Sequence, residues 1–267
     1  MSYQDIELSF DGGVATLTLN RPTVLNALSR TMVAEMRDAV AAVRRSGARA
    51  LLLTGRGRAF CSGADLSGDT FVSGPNGAGF GASVATALDE SYNPLMRDLY
   101  ELEIPIVSAV NGVVAGGGVG LALVADICIA ARSASFVVGF GPRLGIVPDA
   151  GGSWLLARLL GRARAIGVAM LGERLGAEEA AAWGLIWRVV DDGVLAQEAR
   201  AIAATLAKGP TRAFPSIRKI TDAAAHNTFS AHLDLERDCQ RVLCDSADTA
   251  EGVAAFREKR APVFSGR

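Results

Sequence analysis

The sequence predicts an α/β fold, built from repeated ββα and βα units and followed by a helical C-terminal region. Short apolar runs, Leu51–Leu53, Ile106–Val110 and Ile127–Ala130, alternate with segments whose apolar residues recur at helical spacing. Glycine is abundant, 30 of 267 residues, while aromatics are only 6%, a mix that suits many tight turns better than a helical bundle. Half of the residues are apolar (50%), and at this length one large domain can bury a substantial core.

Along the chain, Ile6, Leu8 and Phe10 alternate with polar residues, Asp11-Gly12-Gly13 turns, and Ala15, Leu17 and Leu19 alternate on the return, which predicts a β-hairpin. Ser29 is the expected N-cap of a helix through Arg45, with Met32, Met36, Ala39, Val40 and Val43 on its inner face. A strand at Leu51–Leu53 leads into the loop Gly55-Arg56-Gly57-Arg58. Gly68 to Ser83, rich in Gly and Ser, is expected as a mobile surface loop that shapes a ligand pocket. A helix is expected from Leu88 to Leu102, then a strand at Ile106–Val110, a glycine turn with a helix over 116–124, and strands at Ile127–Ala130 and Phe136–Val138. Beyond Gly151 the pattern is alanine-rich and helical to about Lys259, broken by Gly161, Gly176, Gly184, Gly193 and Pro210. Residues 1–200 are therefore read as the core and 201–267 as a helical region too short and amphipathic to stand alone, which needs a partner surface.

Composition excludes several function classes. A net charge of −1 gives no electrostatic footprint for nucleic acid or an anionic membrane. The uncharged run Ile104–Ala125 is interrupted by Pro105, Asn111 and five glycines, so it reads as a buried strand–turn–helix unit and not as a membrane span. The first ten residues lack the basic and apolar regions of a secretory signal, and Cys61, Cys128, Cys239 and Cys244 form no CxxC pair, so a reduced, cytoplasmic setting is expected. His226 and His232 sit beside the last two cysteines without metal-ligand spacing, so no metal is expected. With two histidines in the chain, acid–base work falls to carboxylates.

Two loops can present backbone donors. Gly116-Gly117-Gly118, between an apolar strand and an apolar helix, leaves helix N-terminal N–H groups open to a phosphate, or to an oxyanion, and equally suits tight helix–strand packing. It is neither GxGxxG nor a Walker A loop. Phe60-Cys61-Ser62-Gly63-Ala64-Asp65-Leu66 follows a strand and can offer an N–H from an extended loop; no GxSxG elbow surrounds Ser62 and no histidine is near, which argues against serine hydrolysis. A third stretch, Gly145-Ile146-Val147-Pro148-Asp149-Ala150-Gly151-Gly152-Ser153-Trp154, holds a single carboxylate. By local pattern alone, Asp149 reads as the N-cap of the following helix.

The order of these motifs resembles the enoyl-CoA hydratase/isomerase (crotonase) superfamily. The resemblance rests on Asn20-Arg21-Pro22 with Leu25-Asn26-Ala27-Leu28, on the 60–66 loop, on Val110-Asn111-Gly112-Val113-Val114-Ala115-Gly116-Gly117-Gly118, and on Ala125-Asp126-Ile127. Gly145-Ile146-Val147-Pro148 with Gly151-Gly152, and the tail Phe256-Arg257-Glu258-Lys259-Arg260-Ala261-Pro262, complete it. Within the superfamily, Tyr92-Asn93-Pro94-Leu95, Pro148–Trp154, Gly184-Leu185-Ile186-Trp187 and Leu233–Asp238 are most similar to the phenylacetate-pathway 1,2-epoxyphenylacetyl-CoA isomerases.

The resemblance implies a crotonase-like ββα spiral core and an oxyanion hole for a thioester carbonyl, made by the N–H groups of Ala64 and Gly117. It implies contacts to an acyl-CoA substrate from Ala27, Arg58, Ala64, Asp65, Leu66, Ser67 and Gly117, and from Lys259 and Phe264, often across a subunit boundary in a homotrimer or a hexamer of paired trimers. Coenzyme A is then part of the substrate, and no separate cofactor is expected. The two glutamates with which hydratases of the family activate water fall on Gly120 and on Phe140 or Gly141, the second blurred by an extra residue within 136–144. Neither is a carboxylate. Asp149 falls where family isomerases place an aspartate, and apolar neighbours should raise its pKa. Catalysis is thereby favoured over capping, and an acyl-CoA isomerase is the leading expectation. The alternatives are an enoyl-CoA hydratase in which Asp65, Asp69 or Glu90 activates water, and a non-catalytic acyl-CoA-binding relative.

Overall fold

A computed structural model describes residues 3–67 and 79–266. The expected loop at 68–83 lies largely outside the described residues, and its described end is not loop: Phe80–Ala87 is helical.

The hairpin forms as read, β1 (Ile6–Asp11) against β2 (Val14–Leu19), with Leu8 facing Leu17. Helix α1 (Arg30–Ser46) starts at Ser29, whose hydroxyl accepts from the Met32 N–H at 3.0 Å, and buries Met32, Met36, Ala39, Val40 and Val43. β3 (Ala50–Gly55) lies parallel to β2, and β4 (Ala59–Cys61) leaves it for a second sheet. The run 104–125 divides into β5 (Ile106–Val110), β6 (Val113–Ala115) and α4 (Gly117–Leu123), followed by β7 (Ile127–Ala131) and β8 (Ser135–Val137).

The helix expected over 88–102 is interrupted. α2 (Phe80–Ala87) passes through a π-helical turn at Leu88–Tyr92 into α3 (Asn93–Tyr100). Pro94 has no N–H to return to Glu90, and the ladder widens there, with the Asn93 N–H reaching the Leu88 carbonyl. A second π-helical turn, Phe140–Leu144, is closed by Gly145 at φ 68°.

Beyond α5 (Gly152–Leu171), kinked at Gly161, two three-residue strands appear that the sequence did not signal: β9 (Arg174–Gly176) and β10 (Arg188–Val190). They complete the two sheets. The larger runs β1-β2-β3-β5-β7-β10, parallel except for the hairpin, and the smaller runs β4-β6-β8-β9. β4, β6 and β8 each follow a strand of the larger sheet, so the chain winds between two sheets and leaves its strand-to-helix turns at one end.

α6 (Ala177–Ala182) precedes α7 (Leu195–Lys208), which packs Ala199, Ala203 and Ala207 onto β3 and β5. The expected boundary at residue 200 therefore falls inside a helix of the core. α8 (Ala213–Ala223), α9 (Phe229–Leu243) and α10 (Ala247–Glu258) follow, and neither α8 nor α9 buries a residue. Arg218 fastens α8 to the core through Asp126, at 2.6 and 2.7 Å, and through the carbonyls of Tyr100, Leu102 and Ile104. Asp126 also accepts from the Ile106 N–H at 2.8 Å, which accounts for the Ala-Asp-Ile motif. Phe229, Phe256 and Val263 remain at least 80% exposed on this region.

Candidate active site

The first donor loop is held by a backbone bridge between Leu28 and Ala64. Leu28 donates to the Gly63 carbonyl at 2.8 Å and accepts from the Asp65 N–H at 3.0 Å. This parallel pairing uses the groups of residues 63 and 65, so the N–H of Ala64 itself turns away from Leu28. Asn26, fully buried at φ 55°, builds the turn behind it: its amide accepts from Arg21 N–H at 2.8 Å and donates to the carbonyls of Arg56 and Ala59 at 3.0 and 2.8 Å. Arg21 donates to the Ala27 carbonyl and pairs with Asp65 at 2.8 Å. These bonds explain why Asn20-Arg21-Pro22 and Asn26 occur together.

The second loop enters α4 through Gly116, at φ 52° and ψ −135°, a backbone region open to glycine and strained for other residues. Gly117 is the first helical residue, so its N–H has no carbonyl within α4 to bond. The two loops pass backbone to backbone. A Cβ on Gly63 would lie 2.9 Å from the Ala115 carbonyl oxygen and 3.3 Å from the Gly117 nitrogen.

Asp149 sits in a turn whose next two residues are both left-handed, Ala150 at φ 48° and Gly151 at φ 73°. Gly152 N–H closes it on the Asp149 carbonyl at 2.8 Å. The capping reading is overturned: Gly151 is the N-cap of α5, and no side-chain cap bond is made there among the described residues. The two left-handed residues swing the Asp149 carboxyl away from the α5 start. It points instead toward α4, with Oδ1 3.6 Å from where a Cβ of Gly117 would stand.

Ala64, Gly117 and Asp149 line two adjoining cavities. The larger, about 280 Å³, is walled by Gly63, Leu66, Val137, Phe140, Leu144 and Ile146, with Arg143 at its edge. The smaller, about 20 Å³, is closed by Val84, Ala87, Leu88 and Tyr92. Larger clefts of about 390 and 730 Å³, beside Arg218 and beside Arg49, contain none of the three. Burial among these apolar walls pushes the Asp149 carboxyl up to about 6, against a smaller opposing effect of its own backbone N–H. The Tyr92 phenol is pushed up to about 12, by burial first and then by the negative charge of Asp149. Its hydroxyl donates to the Leu28 carbonyl at 3.0 Å, tying the cavity wall to the first donor loop.

Of the remaining expected site residues, Leu66 lines the larger cavity. Ala27 is buried beside Arg21, outside both linings. The Asp65 carboxylate accepts from Ser67 Oγ at 2.6 Å and from Arg21 at 2.8 Å, and these bonds hold it below the usual carboxylate range. It is engaged as a loop brace, which does not suit the alternative in which it activates water. Glu90 is exposed and outside both cavities, and Asp69 lies outside the described residues. Arg56 pairs with Glu7, while Arg58 is exposed. Lys259 and Phe264 are not brought to the cavities within one chain: Lys259 ends α10, and the Phe264 carbonyl accepts from Arg49. Tyr92, Val84, Phe140 and Arg143 were not among the expected site residues. In sequence Tyr92 stands only in the Tyr92-Asn93-Pro94-Leu95 likeness, which assigns it no role.

Gly120 faces the Asp149 turn, and the buried Phe140 lines the larger cavity with Gly141 next in the chain. Residues 9–267 match the enoyl-CoA hydratase/isomerase family. The chain is 49% identical over 256 residues to the 1,2-epoxyphenylacetyl-CoA isomerase of Escherichia coli K12, covering 96% of each. It is 48% identical over 267 residues to a probable enoyl-CoA hydratase of Rhodobacter capsulatus, covering 100% of each. Among solved structures, an enoyl-CoA hydratase subunit from Geobacillus kaustophilus matches with a TM-score of 0.89 at 36% identity, over 99% of both chains.

Proposed function

The chain belongs to the enoyl-CoA hydratase/isomerase family and has its crotonase fold, and from that premise we propose that it isomerises acyl-CoA thioesters with one carboxylate, Asp149. The observation that carries this is the shared lining: Ala64 and Gly117, whose N–H groups bond no backbone carbonyl among the described residues, and the Asp149 carboxyl line the same two cavities.

In this reading the thioester oxygen accepts hydrogen bonds from Ala64 and Gly117 N–H, which stabilises negative charge as the acyl chain loses a proton. Each such donor contributes about 3–4 kcal/mol to the transition state. The Asp149 carboxylate removes the C2 proton of a 3-enoyl thioester, the electron pair moves through the dienolate, and the same carboxyl returns the proton to C4. The product is the 2-enoyl isomer, with no change of composition. A carboxyl near pH 6 suits both halves of that transfer. A ring epoxide attached to the same enolate is the second substrate class, supported by the name of the Escherichia coli relative.

Coenzyme A enters as part of the substrate, with no separate cofactor, in a cytoplasmic enzyme. Arg58 on one subunit and Lys259 and Phe264 of a neighbour are proposed to hold it. The exposed Phe229, Phe256 and Val263 support assembly as a homotrimer or hexamer that covers them. A hydratase is the second reading, favoured by the Rhodobacter relative's name. Offering 3-hexenoyl-CoA, 2-hexenoyl-CoA and 1,2-epoxyphenylacetyl-CoA separately tests these readings. Appearance of 2-enoyl absorbance from the first supports isomerisation, consumption of the second by water addition supports hydration, and binding without turnover of any supports a non-catalytic relative.

A further inference from the structure

α4 carries Gly117 and Gly120 one turn apart, so both face the same neighbour. That neighbour is the Asp149–Gly152 turn. A Cβ at Gly117 would meet Asp149 Oδ1 and Ala150 Cβ at 3.6 Å, ordinary contact. A Cβ at Gly120 would lie 2.0 Å from the Ala150 carbonyl oxygen, 3.0 Å from its carbon and 3.2 Å from the Gly152 nitrogen. Heavy atoms settle at about 3.5 Å or more, so the turn occupies the volume of any side chain at 120. The obstacle is backbone, in a turn fixed by two left-handed residues and a 2.8 Å hydrogen bond, and it cannot swing aside as a long side chain could.

We propose that Gly120 is a positioning residue for Asp149: its missing side chain lets the Asp149–Ala150 turn seat against α4, and the absent first glutamate and the placed aspartate are one structural event. The inference rests on Asp149 being the proton carrier. An alanine at 120 moves the Ala150 carbonyl outward by ~1 Å or more. Asp149, the preceding residue, moves with it. A displacement of that size in a reacting group costs on the order of 10²-fold in rate. It also lifts the carboxyl from its apolar walls toward water. Among the described residues, the other titratable side chains lining the cavities with Asp149 are Tyr92, on the turn before α3, and Arg143, on the 140–144 turn, and neither stands on α4.

The test compares wild type, Gly120→Ala and Asp149→Asn on 3-hexenoyl-CoA across pH, with the Asp149 carboxyl titrated by carboxyl-carbon NMR. For Gly120→Ala we expect kcat to fall on the order of 10²-fold, KM to stay within about threefold, and the Asp149 midpoint to drop toward that of a solvated carboxylate. A wild-type kcat with an unmoved midpoint overturns the proposal. Should Asp149→Asn keep full turnover, the isomerase reading fails, while the NMR midpoint still decides whether Gly120 sets the carboxyl's place. Where Gly120→Ala alone does not fold, the double variant Gly120→Ala/Ala150→Gly lets the turn relocate. The same fall in kcat and midpoint is expected of it, and wild-type values in it overturn the proposal.

Discussion

Replacing Asp149 by asparagine should make the protein more stable and inactive together. The side chain keeps its shape, and the amide oxygen still accepts from its own backbone N–H, so what changes is the charge. Burial raises the carboxyl from 3.8 to about 6. Each unit is about 1.4 kcal/mol, so the folded state bears up to ~3 kcal/mol of unfavourable ionisation at neutral pH. Partial exposure and solvent screening reduce this to ~1–2 kcal/mol. Below about pH 4 the carboxyl is protonated in both folded and unfolded chains, and the substitution is neutral. Between the unfolded value of 3.8 and the folded value of about 6 the unfolded chain ionises first and the penalty builds; above that it is complete. Melting followed by intrinsic fluorescence should therefore give the variant a Tm higher by ~2–6 °C at pH 8. The gain should vanish toward pH 4, while turnover of 3-hexenoyl-CoA falls ~10²–10⁴-fold. A carboxylate that capped α5 would give the opposite sign, a loss of about 1 kcal/mol. A lower Tm at pH 8 with turnover retained would refute the reasoning.

Other outcomes follow from the same geometry. kcat/KM for 3-hexenoyl-CoA should rise with pH through a midpoint of about 6, because the carboxylate is the working form in the free enzyme; a flat profile from pH 5 to 8 would contradict it. Gly117→Pro should fold, since proline is well tolerated at the first helical position, yet lose ~10²–10³-fold in kcat with the N–H. Circular dichroism would check the first half and kinetics the second. Asn26→Ala should cost ~1–3 kcal/mol, because it strips the Arg21 N–H and the Arg56 carbonyl of this partner and leaves the Ala59 carbonyl with Asn111 alone, and denaturant titration reads that loss directly. Gly120→Ala should lower both kcat and the Asp149 midpoint.

Much of the fold was legible because each element carried its own local signal. The hairpin alternates, Ser29 has the right side chain for a cap, and strands β3, β5 and β7 are short apolar runs between turns. β9 and β10 were not legible because three residues give no period, and they are strands only because β8 and β7 offer them edges. The break at 88–92 comes from one proline whose effect depends on its place in the ladder. At the site, the three central residues were readable through their glycine-rich loops and the family likeness. Three-dimensional facts supplied the rest. Asp149 does not cap because Ala150, an alanine, takes the left-handed region, which composition does not announce. Tyr92 stands in a motif of the family likeness, but its tie to the first donor loop emerges only when its hydroxyl is seen on Leu28. Gly120 reads in sequence as a missing glutamate, and only the structure shows the Asp149 turn resting on it.

The most direct measurement is turnover of 3-hexenoyl-CoA in water labelled with heavy oxygen, with product mass read after complete conversion. We expect 2-hexenoyl-CoA of unchanged composition, carrying no label, from wild type and none from Asp149→Asn. A product heavier by one labelled water, formed as readily by the Asp149→Asn variant, would contradict a single-carboxylate isomerase.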